Sequence, residues 1–168
     1  MVEMLMNGGD KQHEMLEGMA EYEQAIDTVI SLAQHSLHLF DADLTSGGFS
    51  SRKRYEALRD FLRRHRNNRL VLVLHDLSYL TAHCPRLMDL LKTHGHGITV
   101  QQTHAHARSA SDPFLIADDA HYVHRFHQQG RRFLLARQDP AGARELQERF
   151  GQLLEASHPA APATTLGL

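Results

Sequence analysis

Histidines are the residues of this sequence with the most chemistry open to them, and there are fourteen among 168 residues. Near neutral pH an imidazole can act as a general base, a nucleophile or a metal ligand. Two pairs, His94 with His96 and His104 with His106, lie on either side of a short apolar segment. His104 and His106 would point the same way if that segment continued as a strand, as two ligands of one metal ion do.

Further potential metal ligands lie at nearby segment ends, namely His75, Asp76, His83 and Cys84. With the two pairs they would offer imidazole, carboxylate and thiolate to zinc or another late first-row metal. No spacing here matches an established zinc motif such as two Cys-x2-Cys pairs. We therefore predict histidines in surface loops, with no metal and no cofactor.

The single cysteine, Cys84, excludes an internal disulfide and fits a reducing cytoplasm. It could act as a nucleophile with His83 or His75 as its base. A lone cysteine in or near a helix is more often a small core residue, which is the interpretation we favour.

The clearest basic concentration runs from Arg52 to Arg66 and contains seven arginines and lysines. Glu56 and Asp60 follow at helical spacing, which is typical of a solvated helix face. A formal net charge of −2 argues against coating nucleic acid by bulk electrostatics. No aromatic residues interleave the run as a stacking surface requires, so nucleic-acid binding is not expected.

The periodicity of apolar residues predicts an α/β fold for one domain. Residues 1–10 are expected to be a flexible leader, 11–158 the folded domain and 159–168 a flexible tail. No apolar run could span a membrane and no secretory signal is evident, so we expect a cytoplasmic protein. The expected elements, in order, are a helix over 11–34, strand Ser36–Phe40, helix Arg52–His65, strand Arg69–Leu74, a helix over 77–94 broken at Pro85, strand Ile98–Thr103, a hairpin of Phe114–Ala117 with His121–Phe126, strand Arg132–Ala136 and a helix from Pro140.

Strand–helix crossovers in the first half imply parallel pairing, and the hairpin adds antiparallel edges. We therefore expect a mixed, mostly parallel sheet with helices on both faces and a β-hairpin in the C-terminal half. His121, Arg125 and His127 would share one face of their strand and, beside Asp119, could hold an anion. A solvated strand face that pairs with Arg131 or Arg132 is the simpler interpretation of the same residues.

This element order resembles one half of the phospholipase D-like superfamily. Active members carry His-x-Lys-x4-Asp, followed after six residues by Gly-Ser-x-Asn. On this chain the histidine falls on Asp112, the lysine on Phe114 and the aspartate on Asp119. The Gly-Ser pair falls on Phe126-His127 and the asparagine on Gln129, so the motif is degenerate and keeps only Asp119.

The resemblance implies that catalysis is lost. In active members the histidine is the nucleophile and the lysine stabilises charge on the phosphoryl oxygens. An aspartate would repel a phosphodiester and phenylalanine supplies no cation, so the loss should far exceed the roughly 10²–10³-fold attributed to one stabilising donor. These enzymes also need two motifs, from two halves or a homodimer, and this chain has one degenerate copy.

The prediction from the sequence is a non-catalytic, phospholipase D-like binding or interaction module with a vestigial anion- or phosphate-binding cleft. The residues expected to line that cleft are Asp112, Phe114, Asp119, His127, Gln129, His104 and His106. The expected partners are a second copy of the chain, a small anionic ligand or another protein. One alternative is a residual phosphodiesterase or nuclease that uses His104 or His127.

The other alternative is an accessory domain for an acetyltransferase. The segments 69–76, 84–88 and 112–126 resemble a small bacterial branch of the superfamily, whose members are sometimes joined to an acetyltransferase domain. Nothing in this sequence resembles a Gly-rich loop for acetyl-CoA, so the acetyltransferase domain would be supplied on another chain or have been lost here.

Overall fold

The computed structural model describes residues 12–160, which form one eight-stranded sheet and five α-helices. Expectations for residues 1–10 and 161–168 lie outside the described residues. The strands are β1 (His13–Glu17), β2 (Ser36–Asp41), β3 (Arg69–Leu74), β4 (Ile98–Thr103), β5 (Phe114–Ala117), β6 (His121–Arg125), β7 (Arg132–Ala136) and β8 (Ser157–Pro159). The helices are α1 (Met19–Leu32), α2 (Arg52–Arg64), α3 (Ser78–His83), α4 (Pro85–Thr93) and α5 (Pro140–Glu155).

The strands lie in the order β1-β7-β6-β5-β2-β3-β4-β8. Only the pairs β2–β3 and β3–β4 are parallel, and the other five pairings are antiparallel. The predicted mixed sheet is thus confirmed, but the expectation that it is mostly parallel is wrong. The β5–β6 hairpin lies inside the sheet rather than at its edge, because β5 is buried at every position and needs a partner on both sides.

Helices cover both faces of the sheet, as predicted. The helices α1 to α4 pack on one face, hereafter the α1 face, over the larger apolar core. On the opposite face, hereafter the α5 face, α5 packs over a smaller core that contains Phe40, Phe114, Tyr122 and Phe150. The side chains of each strand alternate between these two cores, so neighbouring residues at a strand end face different sides of the sheet.

The first helix is shorter than its apolar spacing predicted. Residues His13–Glu17 form β1 and pair with β7, and Gly18 with φ 116° separates this strand from α1. Met15, assigned to the apolar stripe of the helix, is 55% exposed. Met15 and Met19 are four residues apart, as on one helix face, but pairing with β7 outweighs that local pattern.

The C-terminal end of the sheet extends further than predicted. Ser157–Pro159 form β8 and pair with β4, and the Ala160 N–H donates to the Val100 carbonyl at 2.9 Å. Pro159 and Ala160 therefore belong to the sheet and not to a flexible tail. None of the described helices combines the length and apolar character that a membrane span requires.

Candidate functional site

Polar side chains converge where the parallel strands β2, β3 and β4 end, hereafter the carboxyl edge. The antiparallel pairing of β5 with β2 places Phe114 opposite Phe40, so the residues before β5 reach the same edge. The end of β6 is also there, because Phe114 pairs with His124. In sheets of this kind ligands commonly bind beyond the carboxyl ends of the strands.

On the α5 face of this edge, Asp112 is fully engaged by protein groups. Arg149 of α5 grips both carboxylate oxygens, with Nη2 2.8 Å from Oδ1 and Nη1 on Oδ2. The Nε2 of His124 lies 2.8 Å from Oδ2. Burial alone raises the pKa of Asp112, but the hydrogen bonds from His124 and Arg149 hold it well below its usual range. Within the described residues, both oxygens of this carboxylate thus take part in a structural ion pair.

Phe114 lies directly beneath that ion pair and is completely buried. Its ring contacts Phe40 and Phe150, with centroids 5.6 and 6.3 Å away, and meets the ring of His124 edge-on at 6.1 Å. The Arg149 guanidinium lies 5.5 Å above the ring centroid. Phe114, on which the motif lysine was predicted to fall, is therefore part of the hydrophobic core.

The loop between β4 and β5 closes the α5 face of the edge. The Nε2 of His75 contacts the Ala110 carbonyl oxygen at 2.7 Å, so Nε2 must carry the proton and donate. The other nitrogen of His75, Nδ1, then accepts from the Thr103 hydroxyl, also at 2.7 Å. The Gln128 N–H also donates to the Ser111 carbonyl at 2.7 Å. Hydrogen bonds therefore hold this loop near both of its ends, at Thr103 and at Ser111.

On the α1 face of the same edge there is a cavity of about 180 Å³, hereafter the edge cavity. Its walls are the end of β2, the loop that follows it, and the end of β6 with its loop: Asp41, Ala42, Asp43, Thr45, Ser46, Arg125, Gln128 and Gln129. Two charged groups in it are almost inaccessible to solvent, since Asp41 is 6% and Arg125 5% exposed. Buried charges without mutual pairing are uncommon and often mark a binding or reactive site.

The carboxylate of Asp41 is held by backbone rather than by a cation. Its two oxygens accept the N–H groups of Ala42 at 2.9 Å and Leu44 at 2.8 Å. Burial raises the pKa of Asp41 to about 7, although these two hydrogen bonds and the more distant Arg125 act in the opposite direction. Asp41 therefore changes its charge near neutral pH.

Arg125 points to the α1 face, where its guanidinium lies 5.1 Å above the centroid of the Tyr22 ring. Its Nε donates to the Gly130 carbonyl at 2.9 Å. No carboxylate of residues 12–160 forms an ion pair with Arg125. The expected solvated strand face is thus wrong for this residue, because α1 covers the end of β6.

The residues predicted to line one cleft lie in separate places. Asp112 and Phe114 form the closed α5 side, whereas the exposed Asp119 is at the opposite edge of the sheet. Asp118 and Asp119, with φ of 56° and 55°, form the hairpin turn, and the Asp118 carboxylate accepts the backbone N–H groups of residues 34–36. Asp119, on which the motif aspartate was predicted to fall, is therefore a residue of the hairpin turn.

The remaining predicted residues lie on the surface of the carboxyl edge. His127 and Gln129 are exposed on the β6–β7 loop, and of these two only Gln129 lines the edge cavity. His104 and His106 stack with ring centroids 5.8 Å apart, and His158 stacks on His104 at 5.1 Å. Within residues 12–160 no group of three or more His, Cys, Asp or Glu side chains is arranged to hold a metal ion.

The sequence matches one family model, described as Domain of unknown function (DUF7931), over residues 18–165. The chain belongs to the DUF7931 family. No curated protein matches this DUF7931 chain.

Solved structures show which fold the DUF7931 domain adopts. Nuc from Salmonella typhimurium, a phospholipase D family member, superposes with a TM-score of 0.65 at 12% identity, covering 88% of this chain and 98% of Nuc. NucT from Helicobacter pylori gives 0.57 at 13% identity with the same coverage. The archaeal chromatin protein TrmBL2, whose structure shows a novel mode of DNA binding, gives 0.68 at 14% identity and covers 94% of this chain but 58% of TrmBL2. The DUF7931 domain therefore has a phospholipase D-like fold.

Two residues that define the carboxyl edge, Asp41 and Arg149, were not singled out from the sequence, and Arg125 was singled out but not expected to be buried. Asp41 and Asp43 directly follow a strand, which is a usable signal for polar groups at a sheet edge. Arg149 had no local signal, because its partner Asp112 is 37 residues away in the chain.

Proposed function

We propose that this domain is a non-catalytic binding module that keeps the phospholipase D-like fold but not the chemistry. The observation that supports it is the ion pair of Asp112 with Arg149 above the fully buried Phe114. Phosphoryl transfer through a covalent intermediate needs a free nucleophile and a cation at these positions. Here one position holds an engaged carboxylate and the other a core phenyl ring.

In the same proposal, ligand recognition takes place in the edge cavity on the α1 face. This cavity lies at the edge where α/β sheets usually bind ligands, and it contains polar groups that the protein leaves incompletely paired. The proposed binding site therefore lies on the α1 face of the sheet, and not on the α5 face where Asp112 and Phe114 lie.

A phosphodiesterase assay tests the absence of catalysis. The purified protein is incubated with bis(p-nitrophenyl) phosphate and with plasmid DNA, in parallel with its His104→Ala and His127→Ala variants. We expect the wild-type protein to release no more product than buffer does. Wild-type turnover that disappears in His127→Ala or His104→Ala would establish the alternative, a residual phosphodiesterase, and contradict the proposal.

Self-association is a second proposal, carried by the outer edge of β1. Within residues 12–160 β1 has a strand partner on one side only. The Gln12 carbonyl accepts the Arg137 N–H and the Gly18 N–H donates to the Arg131 carbonyl, on either side of β7. By the alternation of an antiparallel ladder, the backbone groups of His13, Met15 and Glu17 therefore point away from the sheet. Antiparallel pairing of two β1 strands about Met15 would place His13 of one copy opposite Glu17 of the other.

Light scattering of the full chain tests this pairing. We expect the mass of a dimer for the wild-type protein and a monomer for Met15→Pro, because proline removes an N–H that the pairing needs. Phe126→Lys is the matched control, since within residues 12–160 Phe126 is the other large exposed apolar residue and lies outside β1. A monomeric wild-type protein would contradict the proposal.

A further inference from the structure

The edge cavity contains a cation that the protein does not pair. Arg125 is buried, its Nε is used by the Gly130 carbonyl, and the Tyr22 ring lies against its guanidinium. The two cavity carboxylates accept backbone N–H groups instead: Asp41 from Ala42 and Leu44, and Asp43 from Thr45. A guanidinium has five N–H donors, so Arg125 retains donors for an anionic group in the cavity.

The cavity also contains acceptors that need donors. The Oε1 atom of Gln128 is buried and has no hydrogen-bond partner among the described residues. Leaving such an atom unpaired costs about 1–3 kcal/mol, so native proteins normally satisfy it with protein, water or ligand. Asp43 adds a carboxylate to the same cavity lining, where its Oδ1 receives the Thr45 hydroxyl at 2.8 Å.

These groups together select the charge type of a ligand. A simple anion would be attracted by Arg125 but repelled by Asp43, and by Asp41 whenever it is ionised. A simple cation would be attracted by the carboxylates but repelled by Arg125. A molecule with one group of each sign satisfies both halves of the cavity, because each charge then meets its opposite.

We propose that the edge cavity binds a small zwitterion of the α-amino acid type, with its carboxylate on Arg125 and its ammonium group towards Asp43 and Gln128. The proposal rests on the proposed binding function and specifies its ligand class. The cavity volume of about 180 Å³ suits a small amino acid.

Isothermal titration calorimetry of the full chain tests the ligand class. The probes are glycine, alanine, serine and glutamate as zwitterions, acetate and methylammonium as analogues with one charge, and inorganic phosphate. We expect at least one zwitterion to bind about tenfold or more tightly than either analogue, since each analogue loses one charged hydrogen-bond partner. Acetate, methylammonium or phosphate binding as tightly as the best zwitterion would overturn the zwitterion proposal.

Isosteric variants locate the binding site. Asp43→Asn and Gln128→Leu should each weaken zwitterion binding about tenfold, whereas Asp119→Asn, on the exposed turn at the opposite edge, should leave it unchanged. Near-ultraviolet circular dichroism of each variant verifies that it folds. Zwitterion binding that is insensitive to both cavity variants would place the ligand elsewhere and overturn the proposal.

The outcomes separate the ligand class from the wider binding function. If phosphate or acetate binds and Gln128→Leu weakens it, the edge cavity is a binding site but the zwitterion class is wrong. If no probe binds at up to about 10 mM, the edge cavity is not a site for these small molecules and both proposals about it are wrong. The absence of phosphodiesterase activity is tested independently of either result.

Discussion

Asp41 and Asp112 lie at the same edge of one sheet but on opposite faces, and their surroundings differ. Asp112 on the α5 face is held by Arg149 and His124, and those contacts keep its pKa well below its usual range. Asp41 on the α1 face has only backbone N–H groups at its oxygens, and burial raises its pKa to about 7. The Asp112 carboxylate thus belongs to a structural ion pair, whereas the protonation state of Asp41 should change with pH near 7 or when a charged ligand binds.

Under the proposal of a non-catalytic binding module, this difference indicates which face of the sheet holds the polar site. On the α5 face the Asp112 carboxylate is paired with Arg149, and the Phe114 ring lies in the apolar core beneath that pair. On the α1 face no carboxylate of residues 12–160 forms an ion pair with Arg125, so the buried guanidinium keeps hydrogen-bond donors for a ligand.

Restoring a cation at the vestigial position should have the largest effect. Phe114→Lys places an ammonium among Phe40, Phe150 and His124, beneath an Asp112 carboxylate that is already paired with Arg149. We expect it to lower the free energy of unfolding by about 4 kcal/mol or more, as for removal of a core phenylalanine with a buried charge added. Urea denaturation measures the change.

Phe126→Lys is the matched control, because Phe126 is 44% exposed one residue beyond β6. It should change stability by no more than about 0.5 kcal/mol. Equal losses of stability in Phe114→Lys and Phe126→Lys would show that position 114 is as accessible to solvent as position 126.

Within residues 12–160 no cation pairs with the buried Asp41 carboxylate, so we expect the free energy of unfolding to depend on pH. Its pKa is raised from 3.8 to about 7 in the folded chain, so the folded state retains a proton that the unfolded state releases. Stability should therefore decline as pH rises from about 4 to about 7, by on the order of 4 kcal/mol at 1.36 kcal/mol per pKa unit, and this contribution should be constant below that window.

Asp41→Asn should remove that slope, which denaturation at a series of pH values measures. Asp119→Asn makes the same change of charge on the exposed turn and serves as the control. An unchanged slope in Asp41→Asn would show that Asp41 ionises as freely as a solvent-exposed carboxylate.

The ion pair on the α5 face should contribute less, because about a third of the Arg149 side chain is exposed. Arg149→Met should cost about 2 kcal/mol, since Asp112 then keeps a single partner in partly buried surroundings. Combining it with Asp112→Asn should recover part of that loss. A double-mutant cycle without coupling between the two residues would contradict the closed α5 side.

Much of the fold could be predicted from local patterns. The strands Arg69–Leu74 and Ile98–Thr103 have the predicted bounds, and the break at Pro85 separates α3 from α4. The helix predicted from Pro140 is also confirmed, and Asp139 caps it, because the Asp139 side chain accepts the Gly142 N–H at 3.1 Å. Each of these depends on apolar runs, proline or capping residues, which act over a few neighbouring residues.

The missed features depend on contacts between distant segments. β1 was assigned to a helix because nothing within His13–Glu17 reveals its pairing with β7, more than a hundred residues later. Arg125 was assigned to a solvated face because α1, which buries it, is about a hundred residues earlier in the chain. The aligned motif likewise gave no sign that Phe114 would be core, and it grouped Phe114 with Asp119, although the predicted hairpin already implied a turn at Asp119.

The comparison of the two aspartates is tested most directly by a carbon-13 NMR titration of the side-chain carboxyl groups in the wild-type chain. Loss of the Asp41 signal in Asp41→Asn and of the Asp112 signal in Asp112→Asn assigns the two resonances. We predict that Asp41 titrates near pH 7 and that Asp112 stays ionised to well below the usual range for aspartate. If both groups titrate at the ordinary value for an exposed aspartate, that result would contradict the Asp112–Arg149 ion pair on the α5 face and the burial of Asp41 on the α1 face.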